Sequence, residues 1–461
     1  MRQRLGHVVG MMVLIAGSVI AEHAWPGPNR TCLAQSMRVG TGAVEFQADD
    51  GMVIGGGIGP GKASGQEGKL RAVAFVVQGP PNATRLAVVA CDVLMIERDI
   101  LDDAAARIAQ RTGIPADHVL INATHTHHAP STVTVHGYRR EEAFARQVGD
   151  AVVEAVAIAN GRLAESGDVT AHFKLGQETT VGQNSRLMLG DGKIFWTGPR
   201  DDAVRPTGPF DSALPVLAFR RASGELAAML FNHSTHTIGT REPGRRSPSF
   251  YGLAAQDLEQ ELGAHVLFLE GASGSTHNLS LPAAEMTERM KKAVAATLAD
   301  TVPLNDVRLG SLKREIEVRV RDFDEQREDD AVRTYCEKRI PDGAPYVVDV
   351  FREMRRQLKP QQGTVRRTWV HAMRIGDIAV VGVPAEYFTK LGLAIKAKSP
   401  FPYTIVAELA NDWIGYVPDD EAYDLGGYQV WTGLHSYVAR GTGERIVEEA
   451  ASLLRELRDR P

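Results

Sequence analysis

The chain has 461 residues, which is enough to bury a large core, and its 43% hydrophobic and 24% charged content is typical of a soluble globular protein. A formal net charge of −5 excludes the basic surface that a nucleic-acid-binding protein needs, and three cysteines are too few for a disulfide scaffold. After the first 40 residues no stretch approaches the roughly 20 apolar residues of a membrane span, although contact with a membrane surface is compatible with this composition.

The N-terminus has the pattern of a secretory signal peptide. Arg2 and Arg4 precede an apolar run at residues 8–20, which is shorter than a membrane span and has the flanks of a signal sequence. We therefore predict a signal peptide and spacer over residues 1–36, a mature domain over residues 37–461, and a secreted or periplasmic location. A retained membrane anchor is the alternative.

The first part of the mature chain predicts a strand–helix–strand unit. A glycine-dense segment at 51–68 lacks the motifs of a phosphate-binding loop and is interpreted as a loop near the mouth of a site. Strands are expected at 72–77 and 86–91, and helical periodicity follows at 100–112 before an apolar run at 118–122. This order is typical of a parallel sheet with helices packed against it.

The rest of the chain continues the alternation of strands and helices. Apolar patterning predicts helices at 141–160, 253–262, 283–300 and 446–458, and strands at 226–231, 265–269, 307–320 and 405–409. Two further strands are expected within 369–383, separated by a tight turn at 375–377. The most charged segment, 321–356, is predicted to be a helical excursion or lid. We therefore predict one large α/β domain with a mixed, mainly parallel central sheet flanked by helices, and an active site in the loops at the strand ends.

Two groups of histidines follow predicted strands. Three of the 14 histidines, His125, His127 and His128, fall within four residues, and His233 and His236 follow a later strand in a similar way. If the first strand continues through His127, side-chain alternation points His125 and His127 to one face. Two imidazoles at a strand end are suitable ligands for zinc or a similar divalent ion, whereas single histidines more often have a structural role.

Two later strand ends carry further candidate ligands. Glu386 follows Val-Pro-Ala, and Tyr416 ends the run Asn-Asp-Trp-Ile-Gly-Tyr. Taken singly, a glutamate in a turn or a tyrosine in a core needs no such explanation. Together with the histidines, these side chains would form a nitrogen and oxygen site for zinc with room for water.

At these residues the chain resembles the catalytic domain of the neutral/alkaline (non-lysosomal) ceramidase family, over about residues 38–434. The segment 122–130 looks like the family's His-Thr-His-Ser-Gly-Pro segment, and 230–234 is similar to the segment with the second zinc histidine. The segment 383–386 matches the family's Val-Pro-Gly-Glu. The zinc ligands that this resemblance implies are His125, His233, Glu386 and Tyr416.

The resemblance also implies catalytic residues. Tyr428 matches a tyrosine that stabilises the reacting carbonyl oxygen, and Arg186 matches a pocket-lining arginine in the family's Asn-Arg-Ser segment. His127 is interpreted either as a further metal ligand or as the general acid/base that protonates a leaving amine.

The loop at 271–278 departs from the family. Ceramidases of this family carry Gly-Asp-Val-Ser-Pro-Asn here, and its serine is a catalytic residue. When the loop is aligned on Gly274, His277 falls at the position of that serine and Ser275 at that of the aspartate. His277 is therefore a candidate to replace the nucleophile or to join the metal site, with a solvent-facing histidine as the alternative.

The sequence thus predicts a secreted, zinc-dependent, ceramidase-like hydrolase of an amide or ester bond. Polar loops beside the histidines, followed by Arg241, Arg245 and Arg246, favour a small, polar, anionic substrate over a long-chain ceramide. One alternative is a serine hydrolase that uses Ser273 or Ser275, although neither lies in a Gly-Xaa-Ser-Xaa-Gly elbow. The other is a non-catalytic, metal-containing binding protein of the same fold.

Overall fold

Short apolar runs build three main sheets in the computed structural model, which describes residues 37–80, 84–278 and 280–460. These residues belong to one unit, Gln35–Pro461. The signal peptide and spacer predicted at 1–36 lie outside the described residues. Among the residues described, no helix has the length and apolar character needed to cross a membrane.

The strands are mostly short, and those of the core are buried on both faces. They are β1 (Arg38–Glu45), β2 (Arg71–Gln78), β3 (Arg85–Cys91), β4 (Val119–Ala123), β5 (Val169–Gln177), β6 (Gln183–Asn184), β7 (Leu187–Leu189), β8 (Ala203–Pro206), β9 (Ala213–Arg221), β10 (Leu226–His233), β11 (His265–Glu270), β12 (Thr276–His277), β13 (Val302–Pro303), β14 (Leu309–Arg319), β15 (Val365–Ile375), β16 (Ile378–Gly382), β17 (Glu386–Tyr387), β18 (Tyr403–Ala407) and β19 (Tyr416–Val417). Strands β6 and β12, β7 and β8, and β17 and β19 form small two-stranded pairs.

The helices follow the predicted amphipathic runs. They are α1 (Arg98–Thr112), α2 (Glu142–Arg162), α3 (Ser249–Leu262), α4 (Ala283–Ala299), α5 (Glu325–Arg339), α6 (Ala344–Leu358), α7 (Thr389–Lys398), α8 (Asp420–Leu425) and α9 (Thr442–Asp459), with 3₁₀ turns at Ala116–His118 and Lys359–Gln361. Helix α1 ends where the sequence predicted, because Gly113 adopts the left-handed conformation (φ 70°) and its N–H caps the carbonyl of Ala109.

The α/β class is confirmed, but the strands form several sheets rather than one mainly parallel sheet. The orders are β1-β2-β3-β4, β11-β10-β9-β5-β13 and β14-β15-β16-β18. Only the edge pairs β3–β4, β10–β11 and β16–β18 are parallel within these three sheets. Strands such as β9 and β10, or β15 and β16, are joined by short turns, which allow antiparallel pairing but are too short for a parallel crossover.

The three sheets share one core. Phe75 of β2, Phe219 of β9 and Val380 of β16 lie in the same buried cluster, and the two phenylalanine rings meet edge to face at 5.6 Å. Helices cover the outer faces: α2 packs on β1 and β2, α4 on β5 and β9, and α9 on β14 and β15. Burial on both faces explains why these strands read as continuous apolar runs rather than as alternating ones.

Asn122 joins the three parallel edge strands at one point. Its Oδ1 accepts a hydrogen bond from the N–H of Glu270 (3.1 Å), at the end of β11. Its Nδ2 donates to the carbonyl of Glu408, directly after β18. Asn122 itself lies in β4 and is fully buried, so the carboxyl ends of β4, β11 and β18 converge. The histidine-containing loops leave the sheets near this junction.

The charged segment predicted at 321–356 is helical, as α5 and α6, and it contains a fully buried guanidinium. Arg355 donates to Glu325 (2.8 Å) and to Asp329 (2.9 Å), while Asp329 also binds Arg352 (2.7 Å). The function of this segment as a lid stays a prediction.

Arg355→Met is expected to lower the free energy of unfolding by about 3 kcal/mol, because the buried Asp329 carboxylate loses one of its two arginine partners, whose side chain is fully buried. Urea denaturation measures the change. Arg356→Met is the matched control: Arg356 is exposed and pairs only with exposed Glu353, so its loss should cost less than about 1 kcal/mol. Equal effects of the two substitutions would contradict this prediction.

Candidate functional site

Three histidine side chains meet beyond the ends of β4 and β10. The ligand-capable atoms of His125, His127 and His236 all lie within 4.8 Å of one another. The Nε2 atoms of His125 and His127 are 3.3 Å apart. His125 is fully buried and His236 nearly so, whereas His127 is half-buried. This group could hold a metal ion, and it contains His125 and His127 as the sequence predicted.

Backbone carbonyls orient all three imidazoles in the same way. The Nδ1 atom of each ring lies 2.9–3.0 Å from a carbonyl oxygen, in the order of the chain those of Leu94, Gly56 and Ser273. A carbonyl can only accept, so Nδ1 carries the proton and the Nε2 lone pair can accept a hydrogen bond or bind a metal. Metal-binding histidines are usually oriented by such bonds.

Two side chains with oxygen atoms lie beside the three histidines. Oε2 of Glu386 is 3.6 Å from Nε2 of both His125 and His236, and the Tyr416 hydroxyl is 2.9 Å from Nε2 of His236. The indole N–H of Trp413 holds the other carboxylate oxygen of Glu386 at 3.3 Å. The structure therefore brings together three of the four ligands implied by the family resemblance.

The charge states of these side chains suit a divalent metal. Burial lowers the pKa of His125 to about 4 and that of His127 well below its usual value. Both rings are therefore uncharged at neutral pH and can offer a nitrogen lone pair to a metal ion. Burial raises the pKa of Glu386, but the polar groups beside its carboxylate, those of His236, His125 and Tyr416, outweigh this effect, and the pKa lies below its ordinary value. Neutral imidazoles beside a carboxylate are a typical zinc-binding set.

The backbone brings His125 and His127 together by a different route from the one predicted. Strand β4 ends at Ala123, and His125 has a left-handed conformation (φ 61°), so strand alternation does not apply there. Left-handed conformations of non-glycine residues are strained and cluster at functional sites. The N–H of Thr124 bonds to the carbonyl of Cys91, which fixes the chain just before this bend (2.9 Å).

His233, predicted as a ligand, lies outside the histidine cluster, and His236 occupies the place expected for it. His233 is the last residue of β10, and both of its ring nitrogens are used: Nδ1 contacts the Tyr251 hydroxyl and Nε2 lies 3.1 Å from the Glu178 carbonyl. The ring has no nitrogen left for a metal. His236 lies three residues further, beyond the strand, and reaches the cluster. The sequence could not show which of the two histidines reaches the cluster, because both come at or after the end of the same apolar run.

A cavity of about 580 Å³ opens onto the histidine cluster, a size typical of small-molecule sites. Its walls combine aromatic, small and polar side chains. They are Gly56, Gly57, His127, His128, Ser185, Phe195, Trp196, Thr197, Gly198, Arg200, His236, Ile238, Thr276, His277, Tyr416, Tyr428 and Gln429. His127 and His236 reach this wall, whereas His125 and Glu386 lie behind it.

Two solved structures that share this architecture are ceramidases. Neutral ceramidase from Pseudomonas aeruginosa matches 92% of this chain and 75% of its own, with a TM-score of 0.68 and 18% sequence identity. A ceramidase complexed with C2 matches 92% and 76% at the same TM-score and identity. This chain has the fold of neutral ceramidase. No family model matches the sequence, and no curated protein matches it either.

In this ceramidase fold, Tyr428 lies on the cavity wall, and its predicted role in stabilising a carbonyl oxygen stays a prediction. Its hydroxyl is 3.0 Å from Nε2 of His136, and its ring stacks on Trp196 at 4.7 Å. Burial raises the pKa of Tyr428 well above its usual value, so the hydroxyl keeps its proton and can donate it in a hydrogen bond. Sequence reasoning did not find His136 or Trp196, because neither lies at a predicted strand end.

The wall that contains Trp196 belongs to the loop between β7 and β8, and α5 supports it. The Tyr335 hydroxyl of α5 accepts hydrogen bonds from the N–H groups of Trp196 (2.8 Å) and Thr197 (3.1 Å) and donates to the carbonyl of Thr197 (2.9 Å). At the other end of the loop, Arg339 pairs with Asp202 at 2.8 Å. The charged helices thus fix one side of the cavity.

Arg186, predicted to line the pocket, lies behind the wall instead. It is fully buried, and its guanidinium donates to Oε1 of Gln429 (2.8 Å) and to the carbonyl of Gly426 (2.7 Å). It therefore supports the segment that carries Tyr428 and does not face the cavity. Burial lowers the pKa of Arg186 to about 10, which still leaves it charged.

The loop at 271–278 contributes a histidine to the cavity but no serine. His277 lines the wall, with its ring 6.1 Å from that of His236, and burial lowers its pKa to about 3. Ser273 is fully buried and donates its hydroxyl hydrogen to Glu408 (2.6 Å). Ser275 contacts Thr389 (3.2 Å). Neither serine lines the cavity, so the serine-hydrolase alternative has no accessible nucleophile at these positions.

The arginines predicted to bind an anionic substrate lie elsewhere. Arg241, Arg245 and Arg246 follow the second histidine pair in sequence, but none of them lines the cavity. Their guanidinium groups pair with carboxylates at 2.5–3.3 Å, which are those of Asp257, Glu242 and Asp50 respectively. The arginine on the cavity wall is Arg200, from the same loop as Trp196.

Proposed function

We propose that this protein is an exported, zinc-dependent hydrolase of amide or ester bonds. The observation that carries the proposal is the convergence of three imidazole nitrogens with the Glu386 carboxylate and the Tyr416 hydroxyl at the floor of a cavity. His125, His236, Glu386 and Tyr416 would hold the ion. Zinc, when bound, would supply Lewis acidity and a water of pKa about 7. The ceramidase fold and the signal peptide predicted at 1–36 support hydrolysis and export.

Two further side chains on the cavity wall have roles in this reaction. His127 presents Nε2 to the cavity while its Nδ1 is held by the Gly56 carbonyl, so Nε2 can take up a proton and give it to the leaving amine or alcohol. The Tyr428 hydroxyl can donate a hydrogen bond to the carbonyl oxygen of the substrate as negative charge develops there. His136 holds that hydroxyl in place at 3.0 Å.

The proposed substrate is small and carries an anionic group. Among the described residues that line the cavity none is acidic, and Arg200 supplies a positive charge. Its guanidinium lies 5.7 Å from the Phe195 ring centre and 2.8 Å from the Ser280 hydroxyl, so it is held at the wall where a substrate carboxylate would pass. A volume of about 580 Å³ and polar lining groups such as Ser185 and Gln429 favour such a molecule over a long-chain ceramide.

Metal content and hydrolysis test the function together. Protein purified without chelator is expected to contain about one equivalent of zinc and to hydrolyse N-acyl amino acids or short anionic esters. Chelation should remove the activity, and added zinc should restore it. Less than half an equivalent of any transition metal would contradict the proposal. Bound zinc without turnover of these compounds, or of short-chain and long-chain ceramides, would instead favour the binding-protein alternative.

Arg200→Ala tests the anionic substrate. Loss of a charge-assisted hydrogen bond worth about 1.5–3 kcal/mol is expected to raise KM for the anionic substrate roughly 10- to 100-fold. KM for its neutral methyl ester or amide should change less than about 3-fold. Arg200→Lys keeps the charge and should recover part of the preference. An equal loss for the charged and neutral compounds would show that Arg200 has only a structural role.

A further inference from the structure

Two fully buried glutamates lie beneath the histidine cluster, at the junction of the three sheets. Glu270 ends β11 and Glu408 follows β18, and the N–H of Glu408 donates to the Glu270 carbonyl (3.0 Å). The side chain of Asn122 binds the backbone of both residues. Three hydrogen bonds therefore fix the backbone of the two glutamates: the one between them and the two from the Asn122 side chain.

The hydrogen bonds of the two carboxyl groups are unequal. Glu408 accepts three: from the Ser273 hydroxyl (2.6 Å), from the Ser273 N–H (2.9 Å) and from the Tyr387 N–H (2.7 Å). Glu270 accepts one, from the Thr237 hydroxyl (2.6 Å), and its Oε1 has no hydrogen-bond partner among the described residues. Burial raises the pKa of both carboxyl groups well above the ordinary value, so the pair shares its negative charge. The three donors to Glu408 stabilise a carboxylate there, which favours the charge on Glu408 and the proton on Glu270.

Each donor to Glu408 belongs to a segment that either binds or carries a proposed zinc ligand. The carbonyl of Ser273 accepts the Nδ1–H bond of His236 (2.9 Å), and the Ser273 hydroxyl lies 3.3 Å from the same nitrogen. Tyr387 directly follows Glu386 in the chain, so its N–H fixes the peptide unit to which the Glu386 side chain is attached. One carboxylate thus holds both segments at once.

We propose that Glu408 is a positioning residue that holds His236, through Ser273, and Glu386, through the Tyr387 backbone, in a metal-binding arrangement. This inference rests on the proposed zinc site. The negative charge of Glu408 keeps the Ser273 hydroxyl turned away from Nδ1 of His236, so that this ring nitrogen donates to the Ser273 carbonyl and Nε2 stays unprotonated for the metal.

Two isosteric substitutions separate this role from simple core packing. Glu408→Gln replaces one accepting oxygen with an amide NH₂. In place of Oε2 the NH₂ would meet the N–H groups of Ser273 and Tyr387, and in place of Oε1 it would donate to the Ser273 hydroxyl and release the hydroxyl hydrogen toward Nδ1 of His236. The zinc affinity of this variant, measured at neutral pH by competition with a chromophoric chelator, is expected to be 10- to 100-fold weaker than that of the wild type. Glu270→Gln resembles the neutral acid and should bind zinc within about 3-fold of the wild type. Equal affinities of the two variants would overturn the inference.

Cobalt substitution gives a second measurement, an absorption spectrum that a change in core packing alone would not alter. The visible absorption bands of the Co²⁺-loaded protein report ligand geometry, and they are expected to shift in Glu408→Gln but not in Glu270→Gln. If Glu408→Gln does not fold, Ser273→Ala removes one of the three bonds and should weaken zinc binding about 3- to 10-fold. Unchanged affinity in Ser273→Ala would then overturn the inference.

Wild-type measurements keep this inference distinct from the proposed function. If the wild type binds zinc but hydrolyses nothing, while Glu408→Gln still binds zinc more weakly, the function fails and the positioning role stands. If the wild type binds zinc and hydrolyses substrate, and Glu408→Gln binds zinc normally, only the positioning role fails. A wild type that binds no zinc overturns both.

Discussion

His236→Ala is expected to abolish zinc binding and to lower kcat/KM by on the order of 10³-fold or more, because several kcal/mol of transition-state stabilisation depend on the metal. His236 contributes Nε2 to the three-histidine group and also contacts Glu386 (3.6 Å) and Tyr416 (2.9 Å). No other described side chain in the cluster can replace it, since His125 and His127 already occupy their own positions. Zinc content by mass spectrometry and kcat/KM by a hydrolysis assay measure the two effects.

His233→Gln is the matched control for this prediction. His233 is the last residue of β10, and its Nε2 bonds to the Glu178 carbonyl (3.1 Å), a contact that a glutamine amide can reproduce. We expect this variant to keep its zinc and most of its activity while losing about 1–3 kcal/mol of stability, because the Tyr251 hydroxyl loses a partner. Loss of zinc in His233→Gln, with zinc retained in His236→Ala, would restore the assignment made from sequence.

His233 and His236 show how much of the site could be predicted from the sequence. The apolar run of β10 predicted a buried strand, and polar residues after it predicted a site at the strand end. Which histidine reached the site depended on where the strand stopped and on Tyr251, which comes from α3 and occupies Nδ1 of His233. A contact between two residues that are 18 positions apart, in a strand and a helix, has no signature in the local sequence pattern.

The same limit applies to the rest of the site. Glu386, Tyr416 and Tyr428 were found because they follow strands or match a family motif, and all three lie at the cluster or its cavity. Glu408 lies within the apolar run predicted at 405–409, where a single charged residue reads as an interruption of a strand. Its role depends on donors from two other segments. Arg200 lies in a loop whose position is set by packing against α5, which sequence patterns do not report.

His127→Ala is expected to leave zinc bound and to lower kcat for amide substrates about 10²- to 10⁴-fold, the usual contribution of a general acid/base. His127 belongs to the three-histidine group, yet it is half-buried and faces the cavity, whereas His125 and Glu386 lie behind the wall. If the other four side chains hold the ion, its Nε2 is left to meet the substrate. Zinc content and kcat of the same preparation measure the two quantities, and loss of zinc would show that His127 is a ligand.

The neighbouring histidine and the leaving group provide the controls. His128 also lines the cavity, but its Nε2 accepts a hydrogen bond from the Gly239 N–H (2.8 Å) and has no free lone pair for the reaction. His128→Ala should therefore change kcat less than about 10-fold. A substrate ester with an acidic phenol as leaving group needs no proton from the enzyme, so His127→Ala should slow its hydrolysis far less than that of the matched amide. Equal slowing of ester and amide would mean that His127 acts before the leaving group departs, which contradicts its role as the proton donor.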